Sequence, residues 1–321
     1  MSFLVTGGIG YLGARIVKAL AEKYPERKII YTHHHHISKN YFPDLKNLQF
    51  RKLNLSEYTD FNTICSGVKT VIHLAFPNEV VCKKNIETAI DSGVRGTYYL
   101  LSEANRNKVE NFIFLSTAHV YGAPLEGEIT EQTLPRPIHP YAISKRAAED
   151  FVLAFRKESP MNALVIRLSN GFGYPVHKEI NRWNLLVNDL CKQAVLDKQM
   201  VLNSSGIQQR DFIPFEDIIE AICLFDTLKK HETLDGLFNL GSGKSISVFD
   251  FAQQIAAIAE KVLGYQVPLF RKNPTATEIA KELIYNCNKI ASLGYKPKGN
   301  VIFEIEETLR FCKEHLISNA S

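Results

Sequence analysis

Three glycines at a regular spacing, Gly7, Gly10 and Gly13, stand between a short apolar run and an amphipathic stretch at the start of the chain. Phe3 to Val5 reads as a buried strand, and Ala14 to Lys23 as the helix that follows. Glycines let the backbone turn sharply and let a pyrophosphate approach closely, while the helix N-terminus offers N–H groups and a positive dipole end. A strand–glycine–helix unit therefore constrains the fold strongly, and it predicts a dinucleotide site in the turn. The G-x-x-G-x-x-G spacing differs from the G-x-G-x-x-G of ordinary dehydrogenases, which points to a separate dinucleotide-binding lineage. A tight turn without a ligand is the bland alternative.

The rest of the first half continues the alternation. Strands are expected at Lys28 to Thr32, Leu48 to Leu53, Thr70 to Ala75, Asn111 to Ser116 and Ala163 to Leu168. Helices are expected at about Ser56 to Cys65, Cys82 to Asn107 (as one long helix) and Tyr141 to Phe155. Alternating strands and helices imply an α/β fold, a doubly wound and mainly parallel Rossmann sheet with ligands beyond the carboxyl ends of its strands. Gly13, Thr32, Ala75 and Thr117 lie near such ends and should converge. After Ser169 the rhythm changes. Helices near 184–196, 215–228, 248–262 and 303–315, with short strands near Met200 and Asp211, suggest a smaller mixed α/β substrate domain. The expected division is 1–170 for the dinucleotide-binding domain, with returning segments near 210–245, and 171–209 with 246–321 for the smaller one.

Tyr141 and Lys145 are four residues apart on a predicted helix and so share a face. An unperturbed tyrosine is a poor base at neutral pH. A neighbouring ammonium and a nicotinamide nearby would stabilise the phenolate, so that the phenol can exchange a proton with a substrate hydroxyl. Surface exposure of both is the bland alternative. Ser116-Thr117, at the end of an apolar run upstream, could add a hydroxyl to this pair.

Apolar content of 45% and charged content of 22% are ordinary for a globular protein. A net charge of +4, from 38 basic and 34 acidic residues, is too mild to argue for nucleic acid or membrane binding. The six cysteines form no C-x-x-C and no metal-like cluster, which suggests reduced, mostly buried thiols. With a strand starting at Ser2 or Phe3 and no run of spanning length, the expectation is a cytoplasmic protein without a signal peptide, membrane span or metal.

The chain resembles the extended short-chain dehydrogenase/reductase family, in its nucleotide-sugar epimerase, dehydratase and reductase branch. The resemblance covers nearly the whole chain. It is carried by Thr6 through Gly13, His73-Leu74-Ala75, Ser116 through Gly122, Pro140-Tyr141 through Lys145, Arg167 through Asn170, Arg210 through Ile213 with Asp217, and Asn239 through Gly243. By resemblance, Tyr141 is the acid/base, Lys145 binds the nicotinamide ribose and lowers the tyrosine pKa, and Thr117 hydrogen-bonds the reacting oxygen. Asn170 and Arg210 are implied to hold the substrate diphosphate, as Arg's planar fork suits phosphate oxygens. Gly7, Gly10, Tyr11, Leu12, Gly13, Thr32, His33, Asn54, Leu55, Leu74 and Ala75 are the implied cofactor contacts, with Tyr141 and Lys145. The implied partners are a nucleotide-diphosphate sugar and a second copy of the chain, through the Cys82–Asn107 and Tyr141 helices. Lys178, Asn181 and Trp183 are candidate lining residues for the sugar or base.

Two departures bear on the reaction. NAD-preferring members usually carry an acid at the end of the second strand, where this chain has Thr32-His33-His34-His35-His36-Ile37-Ser38-Lys39. A ribose 2′-phosphate would meet hydroxyls, imidazoles and Lys39 there, which favours NADP(H) while leaving NAD(H) open. Dehydratases of the family carry an acidic pair after the catalytic Thr, whereas Thr117 is followed by Ala118-His119, so elimination of water is disfavoured. Asn54-Leu55 replaces a usual Asp-Leu near the adenine. The expected activity is 4-ketoreduction of a nucleotide-diphosphate sugar. The alternatives are a 4-epimerase with tightly bound NAD and, from another class, a non-catalytic cofactor-sensing protein, which the presence of Tyr141 and Lys145 disfavours.

Overall fold

The computed structural model describes residues 2–35, 40–230 and 234–317. The chain divides into two compact units. The first comprises 1–124, 131–168 and 221–240; the second comprises 125–130, 169–220 and 241–321.

The first unit is built on a seven-stranded, parallel sheet. Its leading elements are β1 (Ser2–Thr6), α1 (Tyr11–Lys23), β2 (Lys28–His33), β3 (Leu48–Lys52) and β4 (Thr70–His73). They are followed by α2 (Glu79–Lys84), α3 (Ile86–Thr88), a π-helical turn at Ala89–Arg95, α4 (Gly96–Arg106), β5 (Asn111–Thr117) and α5 (Pro140–Glu158). Strands Asn162–Leu168 and Leu237–Leu240 complete the sheet, whose order is Leu237–Leu240, Asn162–Leu168, β5, β4, β1, β2, β3. The order reverses between β1 and β4, which opens a crevice at their carboxyl ends. All five residues of β1 and all seven of β5 are buried, as a sheet covered on both faces demands. Leu4, Val71, Leu100, Phe112, Phe114 and Val152 belong to one continuous apolar core.

Two expected helices differ. Ser56 to Cys65 holds a single 3₁₀ turn, Tyr58–Phe61. The Asn54 Oδ1 takes the Ser56 N–H, Asp60 takes the Asn54 N–H, and Thr63 sits at φ 66°, so local side-chain bonds displace helix. The long helix after Cys82 is broken at Asn85, whose extended backbone and side-chain cap on the Thr88 N–H start a new helix.

The second unit contains a three-stranded sheet of Ser245–Ser247, Gln209–Pro214 and Asn170–Phe172. Helices Leu186–Leu196, Val248–Leu263 and Val301–His315 supply Leu190, Ile255 and Leu309 to its core, where Phe212 stacks on Phe251 at 4.2 Å. Trp183 packs against this core beside Phe311. No helix among the described residues is long and apolar enough to cross a membrane. All six cysteines are free thiols, five of them buried.

Candidate active site

The glycine turn lies at the carboxyl end of β1. Gly7 adopts φ 68°, and a Cβ on Gly13 would stand 2.1 Å from the Gly7 carbonyl oxygen, so the helix can start this close to the strand only with glycine. Gly10 caps α1 without a side-chain hydrogen bond, and Tyr11 and Leu12, both half-buried, form its first turn. The Gly8 N–H donates to the Thr32 carbonyl at 3.0 Å, tying the turn to the end of β2. Leu74 and Ala75 follow β4, and Gly7 faces Ala75 closely enough that a Cβ would lie 3.1 Å from the Ala75 nitrogen. This backbone cradle and the helix start beside it fit a dinucleotide pyrophosphate.

At the end of β2, the rings of His33, His34 and His35 lie against one another in sequence, tilted, with centroids 4.1 and 4.0 Å apart. Burial pushes the His33 and His34 pKa values down, and the neighbouring imidazoles add to this. His36, Ile37, Ser38 and Lys39 lie outside the described residues. The Asn54 Oδ1 is engaged by Ser56, and Leu55 is buried in the core. Among the described residues no group of His, Cys, Asp or Glu side chains could hold a metal.

Helix α5 carries Tyr141 and Lys145. His139 caps it by accepting the Tyr141 N–H, and Pro140 opens its first turn. Its buried face includes Ala142, Lys145, Ala148, Glu149 and Val152. Lys145 is only 2% exposed, and its Nζ donates to the Leu115 carbonyl at 2.6 Å, near the end of β5. Burial pushes its pKa down to about 7, against the opposing pull of Glu149 and Cys82. Tyr141, half-buried, stands one turn earlier, its ring 6.0 Å from Phe76. Thr117 ends β5, and its Oγ1 accepts the His119 N–H at 3.3 Å. His119 itself is exposed.

Glu149 escaped sequence reasoning, although its spacing from Lys145 signals the same helical face. Its buried carboxylate pairs with Arg167 at 2.7 Å, accepts from Ser116 at 2.5 Å and meets Arg146 at 3.1 Å. It thereby fastens the serine before Thr117 to the helix of Tyr141. Phe76 was also missed; its aromatic identity in a loop after β4 carries no spacing signal.

In the second unit, Asn170 and Arg210 lie on neighbouring strands. The Asn170 Nδ2 donates to the Asp211 carbonyl at 2.8 Å, so part of its amide ties the two strands together. Arg210 is exposed and makes no ion pair with a described residue, yet protein packed around the guanidinium lowers its pKa by desolvation. With solvent access retained it stays protonated. Its neighbour Asp211 points the opposite way, as alternation on a strand requires, and is structural. The Asp211 carboxylate accepts from Ser169 at 2.6 Å, the Ser242 N–H at 2.9 Å and the Lys244 N–H at 3.2 Å.

Residues 3–241 match the family described as the NAD dependent epimerase/dehydratase family. The chain belongs to this family. It is an enzyme of the extended short-chain dehydrogenase/reductase type, in the nucleotide-sugar branch that its sequence resembles. Among the family's curated members, the human dTDP-D-glucose 4,6-dehydratase is 28% identical, over 97% of this chain and 90% of that protein. The UDP-glucuronic acid 4-epimerase from Bacillus cereus, solved with UDP-glucuronic acid and NAD, superposes with TM-score 0.80 at 23% identity, covering 98% of this chain and 99% of that one. RMD from Pseudomonas aeruginosa, solved with NADPH, gives TM-score 0.76 at 18% identity, covering 98% and 99%. Both structures share the fold; the first holds NAD and the second NADPH.

Proposed function

We propose that the protein carries out oxidoreduction at C4 of the sugar in a nucleotide-diphosphate sugar, as a 4-ketoreductase using NADP(H). The observation that carries this reading is the buried Lys145 ammonium held at the end of β5, one helical turn from Tyr141. Lys145 anchors the nicotinamide ribose and favours the Tyr141 phenolate. Thr117 orients the C4 oxygen, and the Tyr141 phenol gives it a proton. The nicotinamide, when bound, supplies the hydride. Gly7, Gly10, Tyr11, Leu12 and Gly13 take the pyrophosphate, with Leu74 and Ala75 lining the crevice beside them and Asn54 and Leu55 near the adenine. Asn170 and Arg210 hold the substrate diphosphate, and the Arg210 cation, which pairs with no described residue, suits that role.

NADP(H) is supported by the end of β2, where Thr32, His33, His34 and His35 offer no carboxylate against a 2′-phosphate. Dehydration is disfavoured despite the human relative's name, because Ala118 and the exposed His119 follow Thr117 in place of an acid pair. A 4-epimerase reading is supported by the Bacillus cereus structure's NAD and 4-epimerase title. The same Thr117, Tyr141 and Lys145 serve either reaction.

A homodimer fits the first unit. Ile86, Ile90 and Tyr98, before and within α4, and Ile143 and Phe151 on α5, are exposed apolar side chains on adjoining helices. Paired across a two-fold axis, they would form a four-helix interface.

The test is to denature freshly purified protein and identify any released nicotinamide cofactor by mass. An empty site or loosely held NADP(H) is expected, followed by turnover of 4-keto nucleotide sugars with NADPH. Stoichiometric, tightly held NAD would overturn the reductase reading in favour of the epimerase.

A further inference from the structure

We propose that Phe76 is a positioning residue, which holds the Lys145 ammonium against its ring face and so sets where that charge stands beside Tyr141. The inference rests on the reading of Lys145 as the working cation of the site. The Lys145 Nζ lies 4.2 Å from the centroid of Phe76 and 4.5 Å from that of Phe114. Its hydrogen bond to the Leu115 carbonyl is 2.6 Å long, and it makes no ion pair with a described residue. The ammonium is thus enclosed by one carbonyl dipole and two aromatic faces. A ring quadrupole attracts a cation most where water is excluded, which is the setting here.

The two rings are held differently. Phe114 is fixed within β5, fully buried. Phe76 is half-buried in the loop after β4, and its support comes from the π-helical turn. A Cβ on Gly93 would come within 2.6 Å of the Phe76 ring, so the ring rests on the glycine backbone. The π-turn and its glycine are thereby tied to the site, as such turns often are. From there Phe76 reaches both partners: Nζ meets it at 4.2 Å, and the Tyr141 ring meets it edge-on at 6.0 Å and 86°.

Other titratable groups around Lys145 do not replace this contact. Glu149, on the same helix, is engaged by Arg167, Arg146 and Ser116. The Cys82 thiol of α2, its pKa raised by burial, is uncharged at ordinary pH, and His73 of β4, also neutral there, opposes the ammonium only if protonated. Tyr141 itself faces Lys145 across 5.9 Å from ring centroid to Nζ.

The experiment is a pH titration of lysine ¹³Cε resonances in the full chain without substrate or cofactor, with Lys145→Met assigning the signal. Phe76→Leu removes the ring face while keeping an apolar side chain, and should move the Lys145 titration down by about half a unit to one and a half units. Phe76→Tyr keeps the face and should leave it in place. Gly93→Ala, which drives the ring away, should shift it in the same direction as Phe76→Leu. If Phe76→Leu does not fold, Phe76→Met and Gly93→Ala carry the same readout. An unchanged Lys145 titration in a folded variant without the ring would overturn the proposal, since a purely structural role alters melting temperature and leaves this titration alone. The readout needs no turnover, so its failure is separate from failure of the proposed reaction.

Discussion

The Thr6 hydroxyl donates to His73 Nδ1 across 2.7 Å, and the same oxygen accepts the N–H groups of Leu74 and Ala75 at 3.1 Å each. With two N–H groups donated to it, Thr6 has its own proton left to give, which assigns Nδ1 as an acceptor. The proton then resides on Nε2, 3.0 Å from Thr97 Oγ1, and Thr97 donates to the Gly93 carbonyl at 2.6 Å. One neutral imidazole therefore ties the end of β1 to the start of the cofactor loop and to the π-turn. This relay fixes the backbone of Leu74 and Ala75 beside the glycine cradle.

Acid should undo this relay. Burial, with the Lys145 cation beside it, pushes the His73 pKa down to about 3. The unfolded chain takes up that proton near ~6.5, so between the two values the unfolded state binds more protons than the native one. Stability from His73 is present above this window and is lost as pH falls through it, at up to ~1.4 kcal/mol per pH unit. Urea titrations from pH 7 to pH 4 should show the steeper loss in wild type, and a shallower one in His73→Phe. Equal slopes would refute the assignment.

Lys145 titrates with the same sign. A native pKa of about 7 against the ordinary lysine value means that stability rises with pH between the two. A buried ammonium disfavours its charged form through desolvation, a cost that an apolar chain of similar length does not carry. Lys145→Met should therefore raise the denaturant midpoint at pH 7 while removing turnover. A lower midpoint would show that the ammonium is better compensated than its surroundings suggest.

Tyr141→Phe removes only the phenolic proton donor. Turnover should fall by roughly 10²- to 10⁴-fold, the range for loss of a general acid or base, with cofactor affinity unchanged. Retained turnover would exclude Tyr141 as the acid/base.

Much of this site was legible in the sequence because its parts are local. The glycine turn, the Tyr141–Lys145 pair and the strand ends each depend on a few consecutive residues or one helical repeat. What could not be read depends on which of several competing local bonds a residue makes, or on contacts distant in sequence. Ser56 to Cys65 has a helix-compatible pattern, yet Asn54, Asp60 and Thr63 spend their bonds and dihedrals on turns. The π-turn appears only once Gly93 is seen against Phe76. The Arg210-Asp211 dipeptide reads as one motif, but strand alternation sends an exposed cation outward and a structural carboxylate inward.

Arg210→Ala should raise the KM for the nucleotide sugar by roughly 10- to 100-fold, from loss of charge-assisted hydrogen bonds. Cofactor affinity should be unaffected, because no implied cofactor contact lies near this residue in sequence. Arg210→Lys keeps charge but loses the planar fork, so its KM should lie between the two. Steady-state kinetics with saturating cofactor measure this, and an unchanged KM in Arg210→Ala would remove Arg210 from the substrate site.

Glu149 supports the site from behind. Its carboxylate meets Arg167 at 2.7 Å with both side chains almost fully buried, and Ser116 Oγ donates to it at 2.5 Å. Burial works against the Arg167 charge, but Glu149 outweighs it and holds the guanidinium protonated above the usual arginine range. Removing one member leaves the other charge stranded, so Glu149→Leu should cost about 3–5 kcal/mol of unfolding free energy. Replacing both members together, Glu149→Leu with Arg167→Met, should cost less than Glu149→Leu alone, since no unpaired charge remains. Denaturant unfolding of the two single variants and the double variant measures the coupling. Additive costs would mean that the pair contributes no mutual stabilisation, and that Ser116 and Arg146 suffice to hold Glu149 in place.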